Sequence, residues 1–125
     1  MKKFIIFICI TLFLCCFFSC STPEERDAYN EFVVALTADG IKPIHLTEQQ
    51  ITKMEGNISK QIELDGSVLK VCQIQKQKIY AYVIEFESES DAQKLCAERS
   101  EKNLFTKIHG NVVVYGNNES INDLK

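Results

Sequence analysis

Apolar residues recur at helical or strand spacing along most of the chain, while one stretch at the amino end is apolar with no period at all. Tyr29, Phe32, Val33 and Leu36 fall at i, i+3, i+4 and i+7, flanked by Ala28 and Ala35, which predicts an amphipathic helix whose stripe is a core face. Thr22 as cap, Pro23 at the first helical position and Glu25 as capping-box partner set its start, and Gly40 supplies its stop, so the expected helix spans residues 23–39. A short strand is expected over residues 41–46. Thr47 and Gln50 then form a second capping box, Leu46 and Ile51 take the positions of a hydrophobic staple, and Ile51, Met54 and Ile58 give a partial stripe that Gly56 is expected to end early.

The middle of the chain alternates with period two and reads as a β-meander. Asp65-Gly66 predicts a two-residue hairpin turn that would set Ile62 opposite Leu69 and Leu64 opposite Ser67. A polar turn near Lys76-Gln77 leads into residues 79–87, and pairing across it puts Leu69, Val71, Tyr80, Tyr82, Ile84 and Phe86 on one face. The other face would carry Val68, Cys72, Ile74, Ile79, Ala81 and Val83, broken by Glu63, Lys70 and Glu85. That is too apolar for a solvent face. Either the helix over residues 23–39 buries it, or Val68, Ile74, Ile79, Ala81 and Val83 form an exposed interaction patch for a partner or a second copy.

A third helix is expected from Ser88, with Asp91 three positions on and Ala92, Leu95, Cys96 and Arg99 at helical spacing. Residues 104–108, a His109-Gly110-Asn111 turn and a buried strand over residues 112–115 follow, and the polar segment 117–125 is expected to fray. The pattern as a whole predicts an α+β fold, a largely antiparallel sheet of four to five strands packed with two or three helices.

The aperiodic stretch decides where the chain works. Lys2 and Lys3 precede residues 4–18, which are apolar except for Thr11, and this is the layout of a targeting segment. It is shorter than the roughly 20 apolar residues of a spanning helix. Phe17, Phe18, Ser19 and Cys20 resemble a bacterial lipobox. The resemblance implies a lipoprotein signal peptide over residues 1–19 that is removed, and lipidation of Cys20 by a diacylglycerol. Residues 20–22 would then be attachment point and short tether, residues 23–116 a single domain and residues 117–125 a tail. Ordinary secretion, with cleavage after Ser21, is the alternative. With Lys2 and Lys3 removed, the mature chain has 125 − 19 = 106 residues and a formal charge of 12 − 17 = −5, with no basic cluster, so no nucleic-acid partner is expected.

Export also changes how the cysteines read. Cys9, Cys15 and Cys16 leave with the signal segment, and Cys72 and Cys96 remain as either a disulfide or two buried thiols. The bridge would require the helix after Ser88 to pack on the sheet face that carries Cys72. No CxxC is present. His45 and His109 stand apart from any metal-ligand spacing, and the acidic run Glu85, Glu87, Glu89 and Asp91 lacks the spacing of a calcium loop, so no metal and no cofactor are expected. Residues 82–87, 88–96 and 110–115 together resemble part of the globular region of small uncharacterised bacterial lipoproteins, which implies a helix-backed sheet and no activity.

The expectation for function is therefore a non-enzymatic cell-envelope lipoprotein, held at a membrane through Cys20 and working by protein contact or as an assembly accessory. The alternative is a small secreted binding or inhibitory domain acting on a soluble ligand or protease. An exposed apolar patch would favour the first, a concave pocket the second, and converging perturbed carboxylates or histidines an enzyme.

Overall fold

The computed structural model describes residues 27–124. The signal peptide, Cys20, and the helix start at Thr22, Pro23 and Glu25 lie outside the described residues. In chain order the elements are α1 (Ala28–Leu36), β1 (Ile44–His45), α2 (Glu48–Ser59), β2 (Val68–Lys76), β3 (Ile79–Phe86), α3 (Glu89–Glu101), β4 (Phe105–His109), β5 (Val112–Gly116) and a terminal 3-10 turn (Glu119–Asp123). The strands form one sheet in the order β1-β2-β3-β5-β4, and every neighbouring pair is antiparallel. The fold is α+β, as the pattern predicts. Among the described residues no helix is long and apolar enough to cross a membrane.

The first helix is shorter than its stripe and caps suggest. Asp27 is extended (φ −77°, ψ 116°), and its carboxylate accepts from the Tyr29 amide at 3.0 Å, so α1 begins at Ala28. It ends at Leu36, where the Thr37 hydroxyl donates to the Val33 carbonyl at 2.7 Å and Gly40 follows with φ +91°. Tyr29, Phe32, Val33 and Leu36 are buried, as the spacing requires. They pack on the sheet face that carries Cys72, Ile74, Ala81 and Val83, together with Val112 and Val114 of β5. Each such side chain contributes about 1.5–3 kcal/mol of gross burial energy.

The opposite face is covered by α2 and α3. Val71, Ile84, Phe86, Val113 and Tyr115 meet Ile58 of α2 and Ala92 and Leu95 of α3 in a second core. The Thr47–Gln50 capping box is formed in both directions, and Leu46 and Ile51 are half-buried against this core. Gly56 does not stop α2, which continues to Ser59 because Ile58, 1 % exposed, anchors its last turn. β5 is buried at all five positions, since both faces of the sheet are covered where it runs.

Four further expectations are corrected. Asp65-Gly66 is not a hairpin turn, and residues 62–64 form no strand to pair with β2 across it. The Asp91 carboxylate of α3, fully buried, accepts from the Asp65 amide and the Gly66 amide, each at 2.8 Å, and that bonding takes the loop away from the sheet. Val68 sits on the α3 side, opposite Phe86, because a bulge between Val68 and Lys70 shifts the alternation by one and leaves Leu69 exposed. The segment after Gly116 is ordered. Asn117 accepts from the Tyr80 amide at 2.7 Å and donates to the Lys78 carbonyl at 2.9 Å, and Ile121 and Leu124 are buried against α1's core. The expected strand over residues 41–46 contracts to β1, entered from Pro43, which has no amide to give a ladder.

Candidate functional site

The residues singled out from sequence fall in three places. Of the suggested interaction patch, Ile74, Ala81 and Val83 are buried under α1, Val68 is buried in the second core, and only Ile79 is exposed, at 50 %. As a free surface the patch does not exist, because α1 covers the face. Cys72 and Cys96 are both free thiols and belong to different cores on opposite sides of the sheet, so the bridge is not formed. The helix after Ser88 packs on the face away from Cys72. Burial pushes the Cys72 thiol up, against opposing hydrogen bonds from the Ile44 backbone and Tyr29, which holds it in the unreactive protonated form. Burial likewise pushes the Tyr29 phenol up, and its hydroxyl lies 3.1 Å from His45 Nδ1. His109 sits apart from His45, at the end of β4. Among the described residues no group of three or more His, Cys, Asp or Glu side chains could hold a metal ion.

The concave feature lies on the second face, where sequence reading singled out no site. Beyond Val71 and Ile84 that face changes character: the next cross-strand pairs are Gln73 with Tyr82 and Gln75 with Tyr80. Ile44 of β1, Gln73 of β2, Tyr82 of β3 and Tyr115 of β5 are mutual register partners, so they form one row running across four strands. α2 and α3 stand on either side of the row and leave its Gln73 and Tyr82 part accessible between them, while Tyr115 is buried beneath Arg99. At the β5 end the depression encloses about 470 Å³, with Gln61, Arg99, Lys102 and Leu104 as its wall. At the β1 end it encloses about 320 Å³, walled by Leu46 and by Gln50, Lys53, Met54 and Asn57 of α2. Gln73 and Tyr82 belong to both ends, which makes them one groove.

Its floor is preorganised. The Tyr82 and Tyr115 rings stack with centroids 5.4 Å apart, and Tyr80 meets Tyr82 edge-on at 5.8 Å. The Arg99 guanidinium lies 4.8 Å over the Tyr115 ring and donates to the Gln61 side chain at 2.6 Å. Glu98 pairs with Arg99 and, at 2.6 Å, with Lys102. Burial would raise the Glu98 carboxyl, but the Lys102 and Arg99 contacts outweigh it and hold the group below its ordinary value. Burial pushes the Tyr115 phenol up, with Arg99 opposing. Gln73 donates to Gln75 at 2.9 Å, and Gln75 donates to the Gln77 carbonyl at 3.1 Å, which fixes both amides over the floor.

Such a surface can hold a ligand by aromatic packing, amide hydrogen bonds and positive charge, without a nucleophile or base at its centre. The signal for it in the sequence is the switch from aliphatic to Gln and Tyr at alternate positions of β2 and β3. No protein-family model matches the chain, and comparison with curated proteins and with solved structures returns no match.

Proposed function

We propose that the protein is an exported, lipid-anchored binding domain of the cell envelope, and that the tyrosine-floored groove between α2 and α3 is its binding site. The observation that carries this reading is the register row Ile44, Gln73, Tyr82 and Tyr115, a half-polar floor of which Ile44, Gln73 and Tyr82 remain accessible between the two helices. Large exposed apolar side chains are spread over separate places, Val34, Ile44, Leu69, Ile79 and Ile108, which favours a groove over a flat contact patch. The anchor rests on the lipobox-like Phe17-Phe18-Ser19-Cys20 sequence.

Two experiments test the two halves. Intact mass and membrane partition of the wild type beside Cys20→Ala should show lipid mass and membrane retention lost together; a soluble, unlipidated wild type would sink the anchor. A photo-crosslinking residue at Gln75, in the cells that make the protein, should give adducts that the same residue at Val34 on the far side does not. Equal adduct patterns from both positions would remove the groove as binding site.

A further inference from the structure

The two depressions differ in chemistry, and the difference constrains what fills them. Ile44, Leu46 and Met54 make the β1 end an aliphatic seat, whereas Arg99 and Lys102 stand at the β5 end. The chain carries more acidic than basic residues, 17 against 14, yet the lining of the whole groove includes Lys53, Arg99 and Lys102 and no Asp or Glu. The nearest carboxylate, Glu98, is already shared between Arg99 and Lys102, which leaves one of these two charges uncompensated. Three other depressions on the molecule are lined by Asp27, Glu31, Asp39 or Asp123, so a lining without acid is not the rule on this acidic surface.

Length can be read from the sheet. From Ile44 to Tyr115 the row crosses three strand spacings, roughly 14 Å at about 4.8 Å each, which is the reach of four to five residues of extended chain at about 3.3 Å per residue. Gln73 and Gln75 stand midway, and beyond the bonds that tie them to each other and to Gln77 their amides have the donor and acceptor capacity to meet peptide N–H and C=O groups.

We infer that the groove takes an extended peptide of about five residues, with an aliphatic side chain seated on Ile44, Leu46 and Met54 and a carboxylate at Arg99 and Lys102. This rests on the groove being the binding site. An anionic glycan would satisfy the cations, the glutamines and the tyrosines, but it has no aliphatic group for the seat at Met54. The peptide is therefore the better fit.

The protein supplies its own reporter. It has no tryptophan, and three of its four tyrosines, Tyr80, Tyr82 and Tyr115, line the groove, so tyrosine emission reads occupancy. The full-length protein would be titrated with a pool of N-acetylated, C-amidated pentapeptides free of aromatic residues. The first residue is Leu, Ile or Met and the fifth Asp or Glu. A matched pool ends in Lys, and hexagalacturonate serves as the anionic glycan. The acidic pool should change emission saturably below about 1 mM, weaken severalfold between low and high salt as screened charge pairs do, and weaken at least threefold in both Lys102→Gln and Met54→Gln. Both variants must keep the wild-type circular dichroism. Equal response to the acidic and Lys-ending pools, or full response in both variants, overturns the inference. A response to hexagalacturonate alone overturns the peptide and leaves the binding reading standing. Silence to all three probes overturns both.

Discussion

The Asp91 carboxylate is fully buried, and it is the contact that fixes the loop before β2, so its replacement gives a sharp test of the fold's logic. It accepts from two successive amides, Asp65 and Gly66, at 2.8 Å each, with the Lys94 ammonium 3.8 Å away. Hydrogen bonds to a charged group contribute about 1.5–3 kcal/mol each, and a buried donor left without a partner costs about 1–3 kcal/mol. Asp91→Asn keeps the shape and one acceptor oxygen but turns an amide NH2 toward the second N–H. It therefore loses one charged bond outright and weakens the other. Relief of carboxylate desolvation returns part of this, and a loss of about 3 kcal/mol is expected. With a urea m-value of about 1.5 kcal/mol/M, that moves the unfolding midpoint down by about 2 M with little change in slope. Against a typical total of 5–15 kcal/mol the loss is large. Lys94→Ala is the comparison: its partly exposed ammonium reaches Asp65, Asp91 and the Glu63 carbonyl, and its removal should cost less because both amide bonds to Asp91 stay in place. Asp91→Asn within about 0.5 kcal/mol of wild type, or Lys94→Ala costing as much, would refute the account. Amide exchange of residues 61–67 should rise in Asp91→Asn, since Gln61 reaches the groove from that loop.

Other expectations follow from single contacts. Gly116→Ala should prevent folding or lower the Tm severely, because a Cβ there would lie 2.1 Å from the Tyr80 carbonyl oxygen and 2.8 Å from the Ala81 Cα across the β3–β5 ladder; a variant that melts like the wild type refutes the close approach. Ile121→Ala should cost about 2–5 kcal/mol in urea unfolding, as for a filled core position, whereas a frayed tail would give none. The lowered Glu98 carboxyl contributes stability that is present above its ordinary value of 4.5 and lost as pH falls through the lower folded value, so Glu98→Gln should flatten the acid limb of a stability–pH curve. At the alkaline end the sign reverses. Tyr29 and Tyr115, raised by burial, stabilise the fold below 10.0 and cease to do so as pH rises through their folded values, so absorbance at 295 nm should show two of the four tyrosines ionising late; four ordinary titrations would contradict their burial.

Legibility followed the range of the interactions. The Thr47–Gln50 box, the α1 stripe, the β2–β3 pairing and the buried β5 are specified within a few residues of chain, and all are visible in the sequence. Asp65-Gly66 misleads because its local turn preference competes with a carboxylate 25 residues away. Asn117 to Leu124 reads as polar, yet Ile121 and Leu124 are spaced to reach the α1 core once Asn117 has been fixed by β3. The bulge at Leu69 is a single-residue shift with no signature of its own. The groove escaped for a different reason. Its floor comes from four strands and its walls from two helices, and only the pairing Gln73–Tyr82–Tyr115 shows that these residues meet.

The two faces of the sheet then bear on how an anchored protein would present itself. Asp27, the first described residue, is tied to the α1 side by Lys70 at 3.5 Å, while the groove opens on the α2 and α3 side. The described chain thus begins on the face opposite the groove. The short tether expected over residues 20–22 lies outside the described residues. A lipid at Cys20 would accordingly direct α1 toward the membrane and the tyrosine groove away from it, toward partners in the surrounding space and not toward the lipid itself.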